Sequence, residues 1–336
     1  MKEYRRICAD IDLDALTHNL DEIHRCIRKE TKIIAVVKAD GYGHGAVPLA
    51  EVMEKREDVW GYAVATPEEA EELYTNGIKK PILILGYTFP EYDAQIVQEN
   101  LRPAVFSLIR AKQLSEEAMR QDKICKIHIK LDTGMSRLGF LCDPAHFLQS
   151  MEQISEAVAL PGLACTGIFT HFANADGDEG YTMRQLTRFL DVVDKLRARG
   201  VEFKIRHCAA SAAVLNYPCT HLDMVRPGIA LYGHYPDPSC QGLDGPGLLP
   251  VMTLKTRVVA VRELPAGTCV SYGCTHTLKR DSRLAVLPVG YADGLEAAVQ
   301  PGRNAGARPA RAHSGPRVHG HVHGGCHRPA RHPGGG

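Results

Sequence analysis

The stretch from residue 33 to 45 reads IIAVVKADGYGHG, an apolar run followed by a lysine and a glycine-rich turn. Five consecutive apolar residues, Ile33–Val37, predict a buried strand of a parallel sheet. Lys38 follows at once and is expected at the carboxyl end of that strand, where glycines let the chain turn closely. A lysine beside an apolar wall releases its proton more readily than a surface lysine and can form a Schiff base with an aldehyde.

Outward from this stretch, apolar runs of strand length alternate with segments that carry apolar residues at three- and four-residue spacing. The further strands are predicted at Gly61–Ala65, Ile82–Leu85, Ala104–Phe106, Ile127–Leu131, Gly167–Thr170, Phe203–Ile205 and Asp223–Val225. The helices are predicted at Ala46–Lys55, Pro67–Asn76, Ala111–Arg120, Phe147–Ala157 and Thr182–Ala198. Eight strand-then-helix units predict an α/β fold, a (β/α)8 TIM barrel over residues 10–235. A doubly wound sheet is the alternative, because alternation alone does not prove closure.

The composition and the predicted secondary structure of the chain change after Gly233. Residues 234–250 are rich in proline and glycine and are predicted to be a linker. Val251–Val261, Thr268–Ser271 and Leu284–Val289 then read as strands without long helices between them. They predict a partial, mostly β domain over 245–295, with which residues 1–9 are expected to pack.

Composition excludes several classes of function. The formal net charge of +1 provides no electrostatic attraction to nucleic acid or to a membrane surface. The chain contains no apolar run long enough to span a bilayer and no apolar core of a signal peptide near its start. The eleven cysteines are scattered, without the spacing of a disulfide framework or a metal site. They predict free thiols in a reduced, cytoplasmic setting, and no bound metal.

Six segments of the chain resemble the alanine racemases closely and occur in that family's order. They are AVVKADGYGHG at 35–45, KLDTGMSRLGF at 130–140, THFANAD at 170–176, RPGIALYG at 226–233, VSYG at 270–273 and GYADGL at 290–295. The resemblance implies an amino-acid racemase that uses pyridoxal 5'-phosphate and interconverts L- and D-alanine for peptidoglycan synthesis. It also implies a homodimer.

The resemblance assigns two catalytic residues. Lys38 is expected to bind the cofactor covalently and to act as acid and base for one enantiomer. Tyr272, in VSYG, is expected to be the opposing base, since a single base readily returns the proton only to the face that it left. A phenol is a weak acid, so this role requires neighbours that stabilise the phenolate.

A second pair is implied at the cofactor's pyridine nitrogen. Arg226 would face this nitrogen and His171 would hold Arg226 in place. Because arginine stays protonated, the ring nitrogen would remain unprotonated and the ring would be a weaker electron sink. A less stabilised carbanion would limit side reactions such as transamination.

The phosphate site is implied after the seventh and eighth strands, its usual place in such barrels. The hydroxyl of Ser211 and the backbone N–H groups of Gly228 and Ile229 would bind the phosphate, together with the hydroxyl of Tyr42.

The substrate site is implied to include Arg137, whose planar guanidinium fits a carboxylate. In some family members the lysine that matches Lys130 is carbamylated and supports this arginine. Tyr291 would narrow the entrance and favour alanine. In the family, the residues that match Tyr272 and Tyr291 reach the neighbouring subunit's site, which implies a head-to-tail dimer. A serine or broad-spectrum racemase and a non-catalytic cofactor-binding barrel are the alternatives.

The resemblance stops after Leu295. Residues 296–336 are rich in Gly, Pro, Arg and His and contain one acidic residue and no aromatic residue, which predicts a disordered tail. A weak metal-binding tract around His319 and a solvated end without function are two interpretations.

A third interpretation is a frameshift near residue 296. One permitted set of codons for Arg317–Gly336, read one base later, encodes VCMDMCMVDVTALPDIPEA. This string contains the Cys-Met-Asp stretch that the family has after GYADGL.

Overall fold

The computed structural model describes residues 6–241, 245–274, 276–294 and 322–325. They divide into two compact units, one formed by residues 12–251 and the other by the residues up to 11 together with those from 252 onward. The strands, in chain order, are β1 (Ile7–Ile11), β2 (Lys32–Val36), β3 (Val59–Val64), β4 (Ile82–Ile84), β5 (Arg102–Val105), β6 (Cys125–Asp132), β7 (Phe140–Leu141), β8 (Leu163–Phe169), β9 (Ile205–Ala210), β10 (Met224–Arg226), β11 (Met252–Thr256), β12 (Ala260–Leu264), β13 (Cys269–Val270), β14 (His276–Thr277), β15 (Ser282–Leu287) and β16 (Val322–Gly325). The helices are α1 (Leu13–Cys26), α2 (Ala46–Met53), α3 (Pro67–Thr75), α4 (Asp93–Gln98), α5 (Leu108–Arg120), α6 (Phe147–Ala159), α7 (Glu179–Ala198) and α8 (Ser211–Asn216).

The first unit is a closed barrel of eight parallel strands, so the predicted TIM barrel is confirmed. Strands β5, β4, β3, β2, β10, β9, β8 and β6 are hydrogen-bonded in that order, and the pairing of β5 with β6 closes the ring. This last pairing excludes the doubly wound sheet, which would leave two free edges. Buried Ile34, Val36, Ala63, Leu83 and Met224 form an apolar cluster contributed by four of these strands.

The local sequence explains where the helices begin. Helix α3 starts after Thr66, whose hydroxyl accepts a hydrogen bond from the Glu69 N–H (3.4 Å), and Pro67 occupies the first helical position. Helix α1 was not predicted. It is capped by Asp12, whose carboxylate accepts from the Ala15 N–H at 2.9 Å.

Strand β9 begins at Ile205, where the predicted segment ended. The prediction relied on apolar residues, and this strand carries the polar residues Arg206 and His207.

The predicted linker, residues 234–250, belongs to the barrel unit. The side-chain amide of Asn19, on α1, donates to the backbone oxygens of Leu231 (3.0 Å) and Leu249 (2.8 Å), and its oxygen accepts from the Leu249 N–H (2.7 Å). These bonds fasten the segment to α1, and the boundary between the units falls after Val251.

The second unit consists of short antiparallel pairings. Strand β1 pairs with β11, β12 with β15, and β13 with β14. Of the predicted tail, 296–336, only Val322–Gly325 are described. They form β16 along β15, where the sequence predicted no regular structure. The free backbone groups of β15 offer this segment a hydrogen-bonding partner that its own composition does not reveal.

The state of two cysteines differs from the prediction made from the sequence. Cys269 and Cys274 are joined in a disulfide, with their Cα atoms 5.1 Å apart, although the spacing of the cysteines predicted free thiols. The turn at 271–274 brings these two residues together.

Among the described residues, no helix combines the length and apolar character needed to cross a bilayer.

Candidate active site

Lys38 follows β2 directly and begins a left-handed turn. Ala39, Asp40, Gly41 and Tyr42 have φ angles of 52°, 51°, 60° and 55°. Each residue other than glycine costs about 1–2 kcal/mol in this conformation, so the turn requires support from its surroundings. A Cβ atom at Gly41 would lie 2.7 Å from Cδ1 of Leu49, so this position needs glycine for space as well as for conformation.

The support comes from carboxylates. Glu69, on α3, accepts hydrogen bonds from the Ala39 N–H (2.7 Å) and the Ala65 N–H (2.6 Å), and thereby joins the ends of β2 and β3. Asp40 accepts from the Ala46 N–H at 2.7 Å. Lys38 is therefore held by a strand on one side and by a turn with fixed hydrogen bonds on the other.

Arg226, at the end of β10, is only 2% exposed. Its guanidinium donates to the backbone oxygens of Thr170 (2.8 Å) and Cys208 (3.1 Å). It also bonds to Nδ1 of His207 (2.8 Å) and to Nδ1 of His171 (3.2 Å). All four acceptors are neutral at pH 7, because burial and the nearby Arg226 lower the pKa of His171 to about 3 and that of His207 well below its usual value.

Burial lowers the pKa of Arg226 to about 10, so its guanidinium remains charged at neutral pH. A buried cation bonded to neutral acceptors retains its full charge for a ligand. The structure places His171 within hydrogen-bond distance of Arg226 and adds His207 as a further partner.

The Tyr42 hydroxyl lies beside Gly228. A Cβ atom on Gly228 would be 2.8 Å from Oη of Tyr42, so the absence of a side chain there leaves room for the phenol. The ring of Tyr42 packs at 4.9 Å from that of Tyr232, which hydrogen-bonds to the backbone oxygen of Val36 (2.9 Å). Burial raises the pKa of Tyr42, which keeps its phenol protonated and able to donate.

Ser211 begins α8 and lies against the start of the 3₁₀ turn Ile229–Tyr232. Its Oγ accepts hydrogen bonds from the N–H groups of Gly228 (2.9 Å) and Ala230 (3.3 Å), so its own hydroxyl proton is available to a ligand. The N–H of Ile229, at the first position of the turn, has no acceptor within the turn. The N–H of Gly228, which the resemblance assigned to the phosphate, is therefore engaged by Ser211. The hydroxyls of Tyr42 and Ser211 and the N–H of Ile229 are donors that suit a phosphate, so these three residues fit the phosphate group of pyridoxal phosphate.

Lys130 and Arg137 lie on β6 and on the loop after it. Burial, followed by the charges of Arg137 and Arg226, lowers the pKa of Lys130 to about 8. The carboxylate of Asp132 organises the loop, because it accepts from the N–H groups of four consecutive residues, Gly134 to Arg137, at 2.9–3.0 Å. Arg137 is exposed at the end of this loop. With Lys38 nearby, these cations suit an anionic cofactor and a carboxylate substrate.

The two remaining predicted residues belong to the second unit. Tyr272 lies in the turn between β13 and β14 and is 76% exposed. The backbone of Tyr291 lies in the turn Tyr291–Asp293, and its side chain is outside the described part of the chain. Arg6 stabilises this turn by donating to the Asp293 carboxylate (3.0 Å), which also accepts from the Gly290 N–H (3.0 Å).

Sequence reasoning missed Glu69, Asp132 and His207. Glu69 lies in the first turn of α3, where acidic residues are common, and Asp132 lies within the motif KLDTGMSRLGF. An aspartate followed by a short glycine-containing loop is a local signal for side-chain-to-backbone bonding and could have identified Asp132. Nothing local identifies His207, because its partner Arg226 is 19 residues away in sequence.

Comparisons with known proteins place these features in a family. The chain matches the description "Alanine racemase, N-terminal domain" over residues 11–236 and "Alanine racemase, C-terminal domain" over residues 251–318. It is 44% identical to the alanine racemase of Desulforamulus reducens over 291 residues, which are 86% of this chain and 76% of that protein. It is 42% identical to that of Methanococcus maripaludis over 291 residues, again 86% and 76% of the two chains.

Solved structures agree with these matches. An alanine racemase of Clostridium difficile 630 superposes with a TM-score of 0.85 at 34% identity, covering 98% of this chain and 85% of that one. The enzyme from D-cycloserine-producing Streptomyces lavendulae also has a TM-score of 0.85, at 30% identity, over 98% and 86% of the two chains. The chain described here therefore belongs to the alanine racemase family.

Proposed function

We propose that this chain binds pyridoxal 5'-phosphate through Lys38 and interconverts L-alanine and D-alanine. The observation that carries the proposal is a cationic site at one end of the barrel, where Lys38 and Arg226 occur with a phosphate cradle built from Tyr42, Ser211 and Gly228. The names of its relatives support alanine as the substrate. Its role would be to supply D-alanine for peptidoglycan in the cytoplasm.

Two bases divide the reaction between the two faces of the substrate. When bound, the cofactor withdraws electrons from the substrate and so acidifies its Cα–H bond. Lys38 Nζ moves the proton on one face of Cα, and Tyr272 Oη moves it on the other. Arg137 binds the substrate carboxylate, and Tyr291 narrows the entrance.

Arg226 controls how strongly the cofactor withdraws electrons. Its guanidinium only donates hydrogen bonds, so it would leave the pyridine nitrogen unprotonated. The hydrogen bond to His171 Nδ1 (3.2 Å) holds the guanidinium at a fixed angle. The hydroxyls of Ser211 and Tyr42 and the N–H of Ile229 bind the phosphate, whereas the N–H of Gly228 donates to Oγ of Ser211 and holds that hydroxyl in place.

A homodimer completes the proposal. Tyr272 is 76% exposed in the single chain, in keeping with a base that acts in the site of a second copy. We infer a head-to-tail arrangement with two shared sites.

We further propose that a frameshift near residue 296 has altered the second unit and strongly reduced turnover. The support for this proposal is the string VCMDMCMVDVTALPDIPEA, which one permitted set of codons for Arg317–Gly336 encodes when read one base later and which contains the family's Cys-Met-Asp stretch. Sequencing the gene tests this directly, and an intact single frame without the Cys-Met-Asp string beside it would refute the frameshift.

The function is tested on the purified 336-residue chain. Cofactor binding is followed by absorbance and fluorescence titration, and D-alanine formation by a coupled assay. We expect cofactor binding with strongly reduced turnover, and full turnover would contradict the proposed impairment. K38R should abolish covalent cofactor binding, whereas K32R, at the opposite end of β2, should not. Y272F should retain the cofactor and lose the residual activity.

Experiments on the same purified chain distinguish the two alternative functions from the proposed one. A panel of L-alanine, L-serine and larger amino acids distinguishes an alanine racemase from a serine or broad-spectrum racemase. Cofactor binding without turnover of any substrate, both in this chain and in one whose family-type C-terminus has been restored, would indicate the non-catalytic barrel. Failure to bind pyridoxal phosphate would contradict the proposed function.

A further inference from the structure

A buried pair of histidines extends the contacts of Arg226 into the barrel. His128, on β6, and His207, on β9, are both 0% exposed. Nδ1 of His128 lies 2.9 Å from Nε2 of His207, and Nδ1 of His207 lies 2.8 Å from Nη1 of Arg226. The three side chains come from three barrel strands and form one continuous chain of hydrogen bonds.

The position of every proton in this chain follows from Arg226. An arginine has donors and no acceptor, so Nδ1 of His207 must accept. A neutral imidazole carries its single proton on the other nitrogen, and His207 therefore donates from Nε2. Nδ1 of His128 must accept that bond, which places the proton of His128 on Nε2.

The reverse arrangement fails at one place. If His128 donated from Nδ1, His207 would carry its proton on Nδ1 and direct it at the N–H of Arg226. Two donors would then face each other at 2.8 Å in the interior. Nε2 of His128 has no hydrogen-bond partner among the described residues, so neither arrangement gains a bond there. Arg226 alone decides the direction.

The packing around His128 prevents it from turning away. Gly167, the partner of His128 in the β6–β8 pairing, has no side chain, and a Cβ there would lie 2.7 Å from the imidazole of His128. The Trp60 ring lies 5.8 Å from that of His128, and Phe169 stacks on His207 with centroids 4.8 Å apart. These contacts hold the two imidazole rings in the orientation in which Nδ1 of His128 faces Nε2 of His207.

We propose that His128 is a positioning residue for Arg226, acting through His207. By accepting from Nε2 of His207, it holds that histidine in the tautomer whose Nδ1 receives the guanidinium. The inference rests on the proposed function only for its consequence, which is that Arg226 is held toward the cofactor's pyridine nitrogen. The tautomers themselves do not depend on any activity.

The first test is direct. The protein is labelled with ¹⁵N-histidine, and long-range ¹H–¹⁵N spectra assign His128 and His207 by comparison with H128Q and H207Q. We expect both rings to be neutral at pH 7 and to carry the proton on Nε2. A proton on Nδ1 of His207, or a doubly protonated ring, would overturn the proposal.

Variants test the positioning itself. H128L removes the acceptor, and we expect it to weaken pyridoxal phosphate binding about tenfold, the effect of one lost buried hydrogen bond. H128Q supplies a side-chain oxygen at a similar position and should restore affinity to within about threefold of the parent. H221Q is the matched control, because the imidazole of His221 is also buried and hydrogen-bonds to the Val214 backbone oxygen, at 2.9 Å, rather than to His207 or Arg226.

Two outcomes of the variant series would overturn the proposal. One is equal cofactor affinity in H128L and the parent, and the other is equal weakening in H128L and H128Q. Should H128L fail to fold, G167A displaces the same ring sterically and should shift the His207 ¹⁵N signals while leaving every donor and acceptor in place. Unchanged His207 signals in G167A would also count against the proposal. Expected tautomers combined with no racemase activity, both in this chain and in one with a restored family-type C-terminus, would contradict the proposed function and leave the hydrogen-bond assignment standing.

Discussion

Lys130 is a buried amine surrounded by cations, and its environment has a measurable consequence. It is 5% exposed, and its pKa is lowered from 10.5 to about 8 by burial and by Arg137 and Arg226. At pH 7 the amine is charged in both the folded and the unfolded chain. The free energy of folding therefore includes the full cost of burying this positive charge. That cost is about 3 kcal/mol and disappears as pH rises from about 8 to above 10.

We therefore expect K130M to be more stable than the parent at pH 7, by up to about 3 kcal/mol. The advantage should shrink as pH rises through 8 towards 10, because the parent loses its buried charge. Denaturant unfolding of both proteins in bicarbonate-free buffer gives the difference, and titrations common to both cancel. An advantage that stays constant with pH would contradict the lowered pKa. Carbamylation of Lys130 would also remove the positive charge, so added bicarbonate should reduce the advantage at pH 7.

At the scale of elements, the left-handed turn after Lys38 depends on helix α3. Glu69 accepts the N–H groups of Ala39 and Ala65 and so couples the turn to two strands. We expect E69A to lower the free energy of unfolding by about 1–2 kcal/mol, a modest loss because the Ala39 bond is exposed to water. Cofactor affinity should fall as well, since Lys38 loses its support.

The neighbouring substitution E68A is the control for this prediction. Glu68 lies in the same helical turn and bonds to the hydroxyl of Tyr92 (2.5 Å), away from Lys38. Fluorescence titration with pyridoxal phosphate should separate the two variants. Equal affinities in E69A and E68A would show that the turn does not need Glu69.

The loop after β6 depends in the same way on Asp132. Its Oδ1 accepts the N–H groups of Gly134, Met135 and Ser136, and its Oδ2 accepts that of Arg137. We expect D132A to cost roughly 2–3 kcal/mol of stability. D132N, which keeps Oδ1, should cost less.

Because Asp132 fixes the loop that carries Arg137, D132A should raise KM for alanine more than it lowers kcat in a chain with measurable turnover. D143A is the control, since the Asp143 carboxylate makes local contacts, with the N–H of Ala145 and the ring of His146. Unfolding curves and steady-state kinetics provide the two measurements. D132A with the stability and KM of the parent would contradict this account.

At the scale of the whole molecule, the proposed mechanism requires the second unit as well as the barrel. Tyr272 and Tyr291 belong to that unit, and the match to the family's C-terminal domain extends past Leu295 but ends at residue 318. We expect a chain whose frame is restored near residue 296 to gain strongly in D-alanine formation, with cofactor affinity at Lys38 little changed. Equal turnover of both chains would refute the proposed impairment. Analytical ultracentrifugation of both chains tests the homodimer.

Residue identity predicted the location of much of the candidate site. Lys38 follows β2 directly and Arg226 ends β10, and parallel strands deliver their last residues to the same end of the barrel. His207 could not be found in this way, because apolar runs located the strands and this histidine is a polar residue inside one. The side chain of Tyr291 lies outside the described residues, so its role stays a prediction.

The sequence by itself determined the alternation of strands and helices and the family motifs, because apolar spacing and short motifs are properties of neighbouring residues. Tertiary structure decided what depends on distant residues. Closure of the barrel required β5 to meet β6. The turn after Lys38 required Glu69, thirty residues away. The tautomers of His128 and His207 required Arg226, because a proton's position is set by the donors and acceptors that folding brings together.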